Sequence, residues 1–403
     1  MTKVLWTQRA NAGPSARSAS VMAFDSDRSR AVLFGGKSST EALLRDTWEW
    51  DGSFWTQMDD IGPSARFLAA IAYDSARKVT LLFGGRGDQH LRDTWQWDGT
   101  DWTQLADSGP SARSSHAMAF DSARNRAVLF GGQGDDNSNL NDTWEFDGEE
   151  WTQQEDTGPS PRGGHAMAYD SASESVFLFG GIGAGTTSQG DTWAWDGQKW
   201  MQLAEFGPSA RLQAAMARGG GSSVLLYGGL SSLDPAQPHT VFADTWEFDG
   251  KHWTLRQDIG PGPLQLASMI YDSVRSRLVL FGGTRIAAGE EGNPDPVSAG
   301  TRESLAAAGV VGVLSLAIAG EVLGEIPTTL TIKLKGPAPM TGALVNLTGP
   351  VFTPGGANLP PIVIPAGLST MDVPVAFAGA GSVTITAEVA GTPAVSLQVL
   401  VGG

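Results

Sequence analysis

The chain has 403 residues, among them 14 tryptophans, 52 glycines and no cysteine, and its formal net charge is −16. That charge argues against a nucleic-acid partner, whose phosphates it would repel, and the lack of cysteine excludes disulfides and thiolate chemistry. The length accommodates two domains, and the last hundred residues hold only two lysines against four acids, so about −14 of the charge belongs to the first 303.

The first element is a short strand around Trp6. It has no partner strands ahead of it, and Met1 lies too close to leave room for a basic segment, an apolar segment and a cleavage site, so a Sec signal is not expected in this sequence. A repeating unit follows. Gly-Pro pairs begin at Gly13, Gly62, Gly109, Gly158, Gly207 and Gly260, and Gly-Gly pairs at Gly35, Gly84, Gly131, Gly180, Gly228 and Gly282, mostly 47 to 49 residues apart. A period this long belongs to a blade or solenoid unit rather than to one helix or hairpin.

Each unit reads as four strands. In the third copy these are the small, apolar 116–120, then 126–130 ending at Gly131-Gly132, then the alternating 142–146 followed by an Asp147-Gly148 turn, then 151–153. Four antiparallel strands repeated about a centre predict a β-propeller. Fourth-strand tryptophans occur six times (Trp6, Trp55, Trp102, Trp151, Trp200, Trp253) and third-strand ones five times (Trp48, Trp95, Trp144, Trp193, Trp246). The expectation is therefore an all-β, six-bladed propeller over residues 1–303, closed by residues 1–9 completing the last blade. The third strand of that blade is missing or has diverged within 284–304.

The double glycine after an apolar strand, the Asp-Thr-Trp strand and the later Trp resemble Kelch repeats, in a dense Trp-Asp-Gly form similar to bacterial Kelch-type proteins. The resemblance covers about residues 1–300 and implies the fold. For function it implies several classes at once, from protein-binding adaptors to mutarotases, oxidases and specifier proteins. The copper oxidase class needs a cysteine cross-linked to tyrosine and is excluded, and the Glu-x-x-x-Asp-x-x-x-His iron spacing of the specifiers is absent.

After residue 303 all tryptophan, tyrosine, histidine and arginine disappear, and alternating segments separated by Pro and Gly turns predict a β-sandwich over 304–403. The run 359–375 resembles bacterial immunoglobulin-like repeats, which implies a spacer or attachment module of a surface protein or virion. The apolar run 305–320 is too short, and too rich in Ala and Gly, for a membrane span.

Candidate site residues follow from repeat geometry. Arg17, Arg66, Arg113, Arg162 and Arg211 share one position, at the entrance to the first strand; Asp46, Asp93, Asp142, Asp191 and Asp244 share another, at the entrance to the third. Both entrances lie on one face of a propeller, and repeat six lacks both residues. Joint presence and absence point to structural Arg–Asp pairs. The resemblance adds a second reading, a ring of ligand-binding arginines with specificity from the long loops 133–141, 182–190 and 230–243. Asp135, Asn137 and Asn139 place oxygens at alternate positions as a calcium loop does, without that loop's glycine and glutamate. His116 and His165 share one position and are expected in the core. No catalytic motif and no cofactor signature are found. The sequence thus points to a non-enzymatic binding or adhesion protein of a cell surface or virion. Its partners would be a protein or glycan ligand and a larger assembly held through the C-terminal domain. A channel-centred carbohydrate isomerase and a purely structural decoration protein are the alternatives.

Overall fold

The computed structural model describes residues 5–10, 13–285 apart from short loop segments (59–60, 107, 155–157, 186–187, 204–206, 235–238 and 258–260), 301–305, and the strands of residues 313–402. It is all β, in two compact units that divide between residues 307 and 308. The composition change at 303 sets the boundary four residues early, because Thr301–Leu305 is a strand hydrogen-bonded into the first unit and a cut at 304 would sever it.

The first unit is six copies of one antiparallel four-strand meander. The third copy runs Ala117–Asp121, Arg126–Gly134, Asn139–Phe146, Trp151–Gln153. Its second strand is buried along Ala127, Val128, Leu129 and Phe130 because both faces of the sheet are covered by neighbouring meanders, which accounts for an unbroken apolar run where alternation would suit a half-exposed sheet. Each interface between meanders is its own core: Val128 and Phe130 of one pack with Met167, Leu178, Trp195 and Trp200 of the next. Burying one such aromatic or aliphatic side chain contributes about 1.5–3 kcal/mol.

The innermost strands touch in a closed cycle, Val21–Asp25 to Ala70–Asp74, Ala117–Asp121, Ala166–Asp170, Ala215–Arg218, Gln265–Asp272 and back. Just ahead of the strand core, one residue per repeat (Ala19, Leu68, Ser115, Gly164, Gln213, Leu266) adopts a left-handed conformation with φ between 53° and 66°. The backbone N–H of each donates to the carbonyl of the corresponding residue one repeat back, at 2.7–3.1 Å, and Ala19 donates to Leu266, so six hydrogen bonds form a closed collar. Five of the six residues are not glycine. The left-handed cost of about 1–2 kcal/mol each is offset because every collar N–H is satisfied.

The last meander is composite. Gln265–Asp272 and Arg277–Thr284 are followed by Thr301–Leu305 and then by the N-terminal strand Leu5–Ala10, in register Leu5↔Leu305 and Trp6↔Ser304. The third strand lies at the very end of the interval that the sequence left open, and it has lost the tryptophan, the second aromatic residue and the aspartate of its equivalents. It keeps two residues that neighbours require. In the other repeats the fourth-strand indole N–H reaches back to the third-strand threonine of the preceding meander: Trp102 to Thr47 at 2.8 Å, Trp151 to Thr94 at 2.9 Å, Trp200 to Thr143 at 2.8 Å and Trp253 to Thr192 at 2.8 Å. Trp55 donates to Thr301 in the same way at 2.6 Å. Glu303 accepts from Trp50 as Glu49 accepts from Trp97 and Glu145 from Trp195, and it also pairs with Arg277.

Among the described residues the second unit has two sheets. One runs Val313–Ile318, Thr328–Leu334, Thr370–Phe377, Val351–Phe352; the other runs Val322–Leu323, Val395–Gly402, Gly381–Val389, Ala343–Thr348, Ile362–Ile364, its first pair parallel. Leu330, Ile332, Val345, Val375, Phe377 and Ile385 are buried. Among the described residues no helix is long and apolar enough to cross a membrane, and the apolar run 305–320 contains the strand Val313–Ile318.

Candidate functional site

The five arginines and five aspartates lie together on the end of the first unit where chains enter the inner strands. Each arginine is at most 1% exposed. Arg113 shows the pattern: Nη1 and Nη2 donate to the two carboxylate oxygens of Asp142 at 2.6 and 2.8 Å, Nη1 also to Gly131 O, Nε to Ser111 O and Nη2 to Ser111 Oγ. All five N–H groups are spent. Arg17, Arg66 and Arg162 repeat this on Asp46, Asp93 and Asp191. Arg211 forks onto Asp244 and stacks on Phe242 at 3.8 Å. Each aspartate also accepts the indole N–H of the tryptophan two residues on, at 2.7 Å. Burial alone would raise these carboxyls, but the arginine's hydrogen bonds and charge, with the indole bond, hold all five below the usual carboxylate range. In Arg17, Arg66, Arg113 and Arg162 all five N–H groups are engaged in these bonds, and in Arg211 four are, the geometry of an Arg–Asp pair.

The double glycine completes the joint. Gly131, at φ +57°, has space for no side chain: a Cβ there would lie 2.8 Å from the Arg162 carbonyl of the next repeat, to which Gly132 N–H donates at 2.9 Å. In the sixth repeat Leu264 takes the arginine's place, 1% exposed, with its carbonyl bonded to Gly229 N–H in the same manner.

Inside the collar the channel holds about 160 Å³, lined by small residues and by Leu68, Gln213, Leu266, Ser20, His116 and His165. Both histidines are pushed down to about 3, first by burial and then by Arg113 or Arg162 nearby, so they stay neutral at ordinary pH. His116 Nε2 lies 3.1 Å from Phe83 O, and both rings pack edge-on against phenylalanines. Towards the opposite end the channel widens to a recess of about 300 Å³. Met22, Ile71, Met118, Met167, Met216 and Met269 line it, followed by a ring of Phe24, Tyr73, Phe120, Tyr169, Arg218 and Tyr271. Among the described residues neither space is lined by a carboxylate, and Arg218 is the one permanently charged group in either.

The calcium candidates sit in the hairpin between the second and third strands of the third repeat. Asp135 Oδ1 lies 3.6 Å from His90 Nδ1, the Asn137 carbonyl accepts from Gln133, and Asn139 Nδ2 donates to the Ile182 and Gly183 carbonyls of the next repeat. Asp136 instead caps Ser138. Among the described residues no group of three or more His, Asp or Glu could hold a metal ion.

Residues 99–283 match the family model described as the KLHDC2/KLHL20/DRC7 Kelch-repeats domain. That stretch is similar to a Kelch-repeat domain. A solved structure titled "Structure of YjhT" superposes with a TM-score of 0.57 at 15% identity, covering 72% of this chain and 95% of that one, a likeness of fold. No curated protein matches the sequence. Within residues 99–283 sequence reasoning did not single out Arg218. It was visible as the one break in an aromatic position, in the one repeat whose next residue, Gly219, is not aspartate or its structural equivalent.

Proposed function

We propose that the chain is a non-enzymatic binding protein: a six-bladed Kelch-type propeller that offers its second-to-third-strand loops to a protein or glycan ligand. In this reading residues beyond the propeller form an immunoglobulin-like attachment module within a surface or virion assembly. The observation that carries the reading is the lining of the channel. An isomerase acting there needs an acid–base pair near its substrate, with pKa values near the working pH. Among the described residues its linings hold no carboxylate; their two histidines are kept neutral by burial and packed among side chains, and the other polar groups are serines, Gln213, three tyrosines and Arg218. The fork arginines brace the loops rather than reach a partner, so recognition falls to the loops 133–141, 182–190 and 230–243, where Leu233 is 50% exposed.

The test pairs a glycan array and a binding screen against purified envelope or capsid proteins with a variant whose loops 182–190 and 230–243 are replaced by the short 86–90 turn. Binding lost with those loops is the expected result; binding unchanged in the folded variant overturns the loop assignment. Acceleration of sugar anomer exchange in an NMR exchange measurement would overturn the non-enzymatic reading.

A further inference from the structure

We propose that the sixth repeat closes its joint on a small carboxylate ligand held between Arg285 and Arg302, doing there what the fork aspartate does in the other five repeats. This goes beyond the loop-face reading, since the site is a joint of the ring and uses none of those three loops.

The argument starts from the register of the composite meander. Arg302 pairs with Leu280 as Trp144 pairs with Leu129, so Arg302 stands where the other repeats have Trp48, Trp95, Trp144, Trp193 and Trp246. Those five indoles donate to the aspartate two residues before them. Two residues before Arg302 the sequence has Gly300. A cation has replaced the indole, and the acid that the indole serves elsewhere has gone.

The rest of the joint is rebuilt in step. Leu264 takes the place of the fork arginine. The carbonyl that accepts from the fork arginine's Nε, Ser111 O in the third repeat, corresponds to Gly262 O, and here it accepts from the Tyr227 hydroxyl at 2.5 Å. Tyr227 carries the one hydroxyl at a position that is otherwise Phe34, Phe83, Phe130, Phe179 and Phe281. A second guanidinium enters beside the same loop: Arg285 Nη2 donates to Pro261 O at 2.8 Å, and a Cβ on Gly262 would lie 4.0 Å from Arg285 Cζ.

The two cations are close enough to repel. Burial and then the charge of Arg285 push the Arg302 guanidinium below its ordinary value, and burial raises the Tyr227 hydroxyl against the charges of both arginines, so it stays a neutral donor. Arg302 Nη1 and Arg285 Nε are buried without a hydrogen-bond partner. The acids on the surrounding described elements are committed elsewhere. Asp244, which also acts on Tyr227, is forked by Arg211 and accepts from Trp246; Glu303 accepts from Trp50 and Arg277; Glu247 pairs with Arg256. Two guanidinium groups with buried, unmet N–H donors, in the one joint that lacks the Arg–Asp pair, are the donor set of a carboxylate site. A carboxylate between them replaces repulsion by charge-assisted hydrogen bonds, and a ligand that binds only the closed ring stabilises it.

Titration of the full chain with acetate, exchanged for chloride at constant ionic strength, tests this through Tm and through saturation transfer to the acetate methyl group. The chains compared are the wild type, Arg302→Gln, Arg285→Gln and Arg218→Gln, the last leaving the sixth repeat intact. Expected are a Tm that rises with acetate, together with saturation transfer, in the wild type and in Arg218→Gln, and a loss of apparent affinity of about tenfold or more in each of the other two. Arg285→Gln removes one hydrogen bond to a loop carbonyl and carries the test if Arg302→Gln does not fold. An equal response to acetate in all four chains, or no transfer at millimolar acetate, would overturn the proposal. Inorganic phosphate bound as tightly as acetate would overturn the assignment to a carboxylate. A fifth chain, with Glu290→Gln, Glu291→Gln and Asp295→Asn, decides the source of the carboxylate: acetate bound there about tenfold or more tighter than in the wild type would mean that the chain's own acid fills the joint, and the ligand proposal would fail.

Discussion

The two ends of the channel use the same side chain in opposite ways. At the inner-strand entrance five arginines are buried, forked onto aspartates and bonded to their own loop backbones. At the turn end Arg218 is exposed, and among the described residues no carboxylate forms an ion pair with it. A residue copied in every repeat answers a problem that every repeat has, which is how to hold one sheet to the next. A residue that breaks the copy answers something the ring does not need for itself. In this protein repetition marks architecture.

The sharpest way to break that comparison is to strip one fork. Asp142→Ala leaves the Arg113 guanidinium buried without its carboxylate, and loss of about 3–5 kcal/mol in denaturant unfolding is expected, with Arg218→Gln as the near-neutral counterpart. The double variant Arg113→Leu with Asp142→Ala should recover part of that loss, because no charge is then stranded. The sixth repeat already makes this exchange, with Leu264 in the arginine's place. If Asp142→Ala unfolds no more easily than Arg218→Gln, the forks are not structural.

How much of this could be read beforehand divides along the same line. The repeat, the double glycines and the Arg–Asp pairing were legible because each recurs with one residue type, and co-occurrence across copies is as strong as a contact. The collar was not, since Ala19, Leu68, Ser115, Gly164, Gln213 and Leu266 share a backbone conformation and no side-chain chemistry; tertiary hydrogen bonds, not propensity, hold them. The strand Thr301–Leu305 was hidden because it carries no tryptophan, whereas its neighbours demand only the hydroxyl of Thr301 and the carboxylate of Glu303. A Thr-x-Glu pattern would have found it.

Glycine separates the two kinds of position next. Gly131→Ala must bear a left-handed backbone and a Cβ 2.8 Å from the Arg162 carbonyl, whereas Gly185, at φ +91°, faces nothing within 4 Å. About 1–3 kcal/mol of backbone strain is common to both, so Gly131→Ala should lower the thermal midpoint by clearly more than Gly185→Ala. Equal shifts would mean that the neighbouring repeat yields and that the close approach costs nothing.

Acid sharpens the contrast between buried and open groups. Above about pH 6.5 neither the native nor the unfolded histidines are protonated and the full stability is present. Between there and about 3 the unfolded chain takes up protons at His116 and His165 that the native channel refuses, so stability is lost as pH falls. Each histidine should cost about 1.4 kcal/mol by one pH unit below its unfolded value. The fork aspartates add their own loss only below the ordinary carboxylate range, as their protons are forced on. Unfolding measured from pH 7 to 4.5 should therefore flatten in the His116→Gln, His165→Gln variant, and an unchanged slope would show that the native histidines accept protons.

The smallest effect tests the seam where the ring closes. Trp102 is 8% exposed and gives its indole N–H to Thr47; Trp6, in the closing strand, packs on Tyr227 at 5.6 Å, and neither its N–H nor the Thr245 hydroxyl it would reach by repeat symmetry has a partner. Replacing either by Phe keeps most of the apolar burial and removes the N–H. Trp102→Phe should then cost about 0.5–1.5 kcal/mol more than Trp6→Phe, the net value of one hydrogen bond. Equal costs would mean that the closing strand is bonded as firmly as an interior one; the expected difference makes the seam the place where the ring first opens, since a strand held by packing and ladder bonds alone separates before one that is also pinned across to its neighbour.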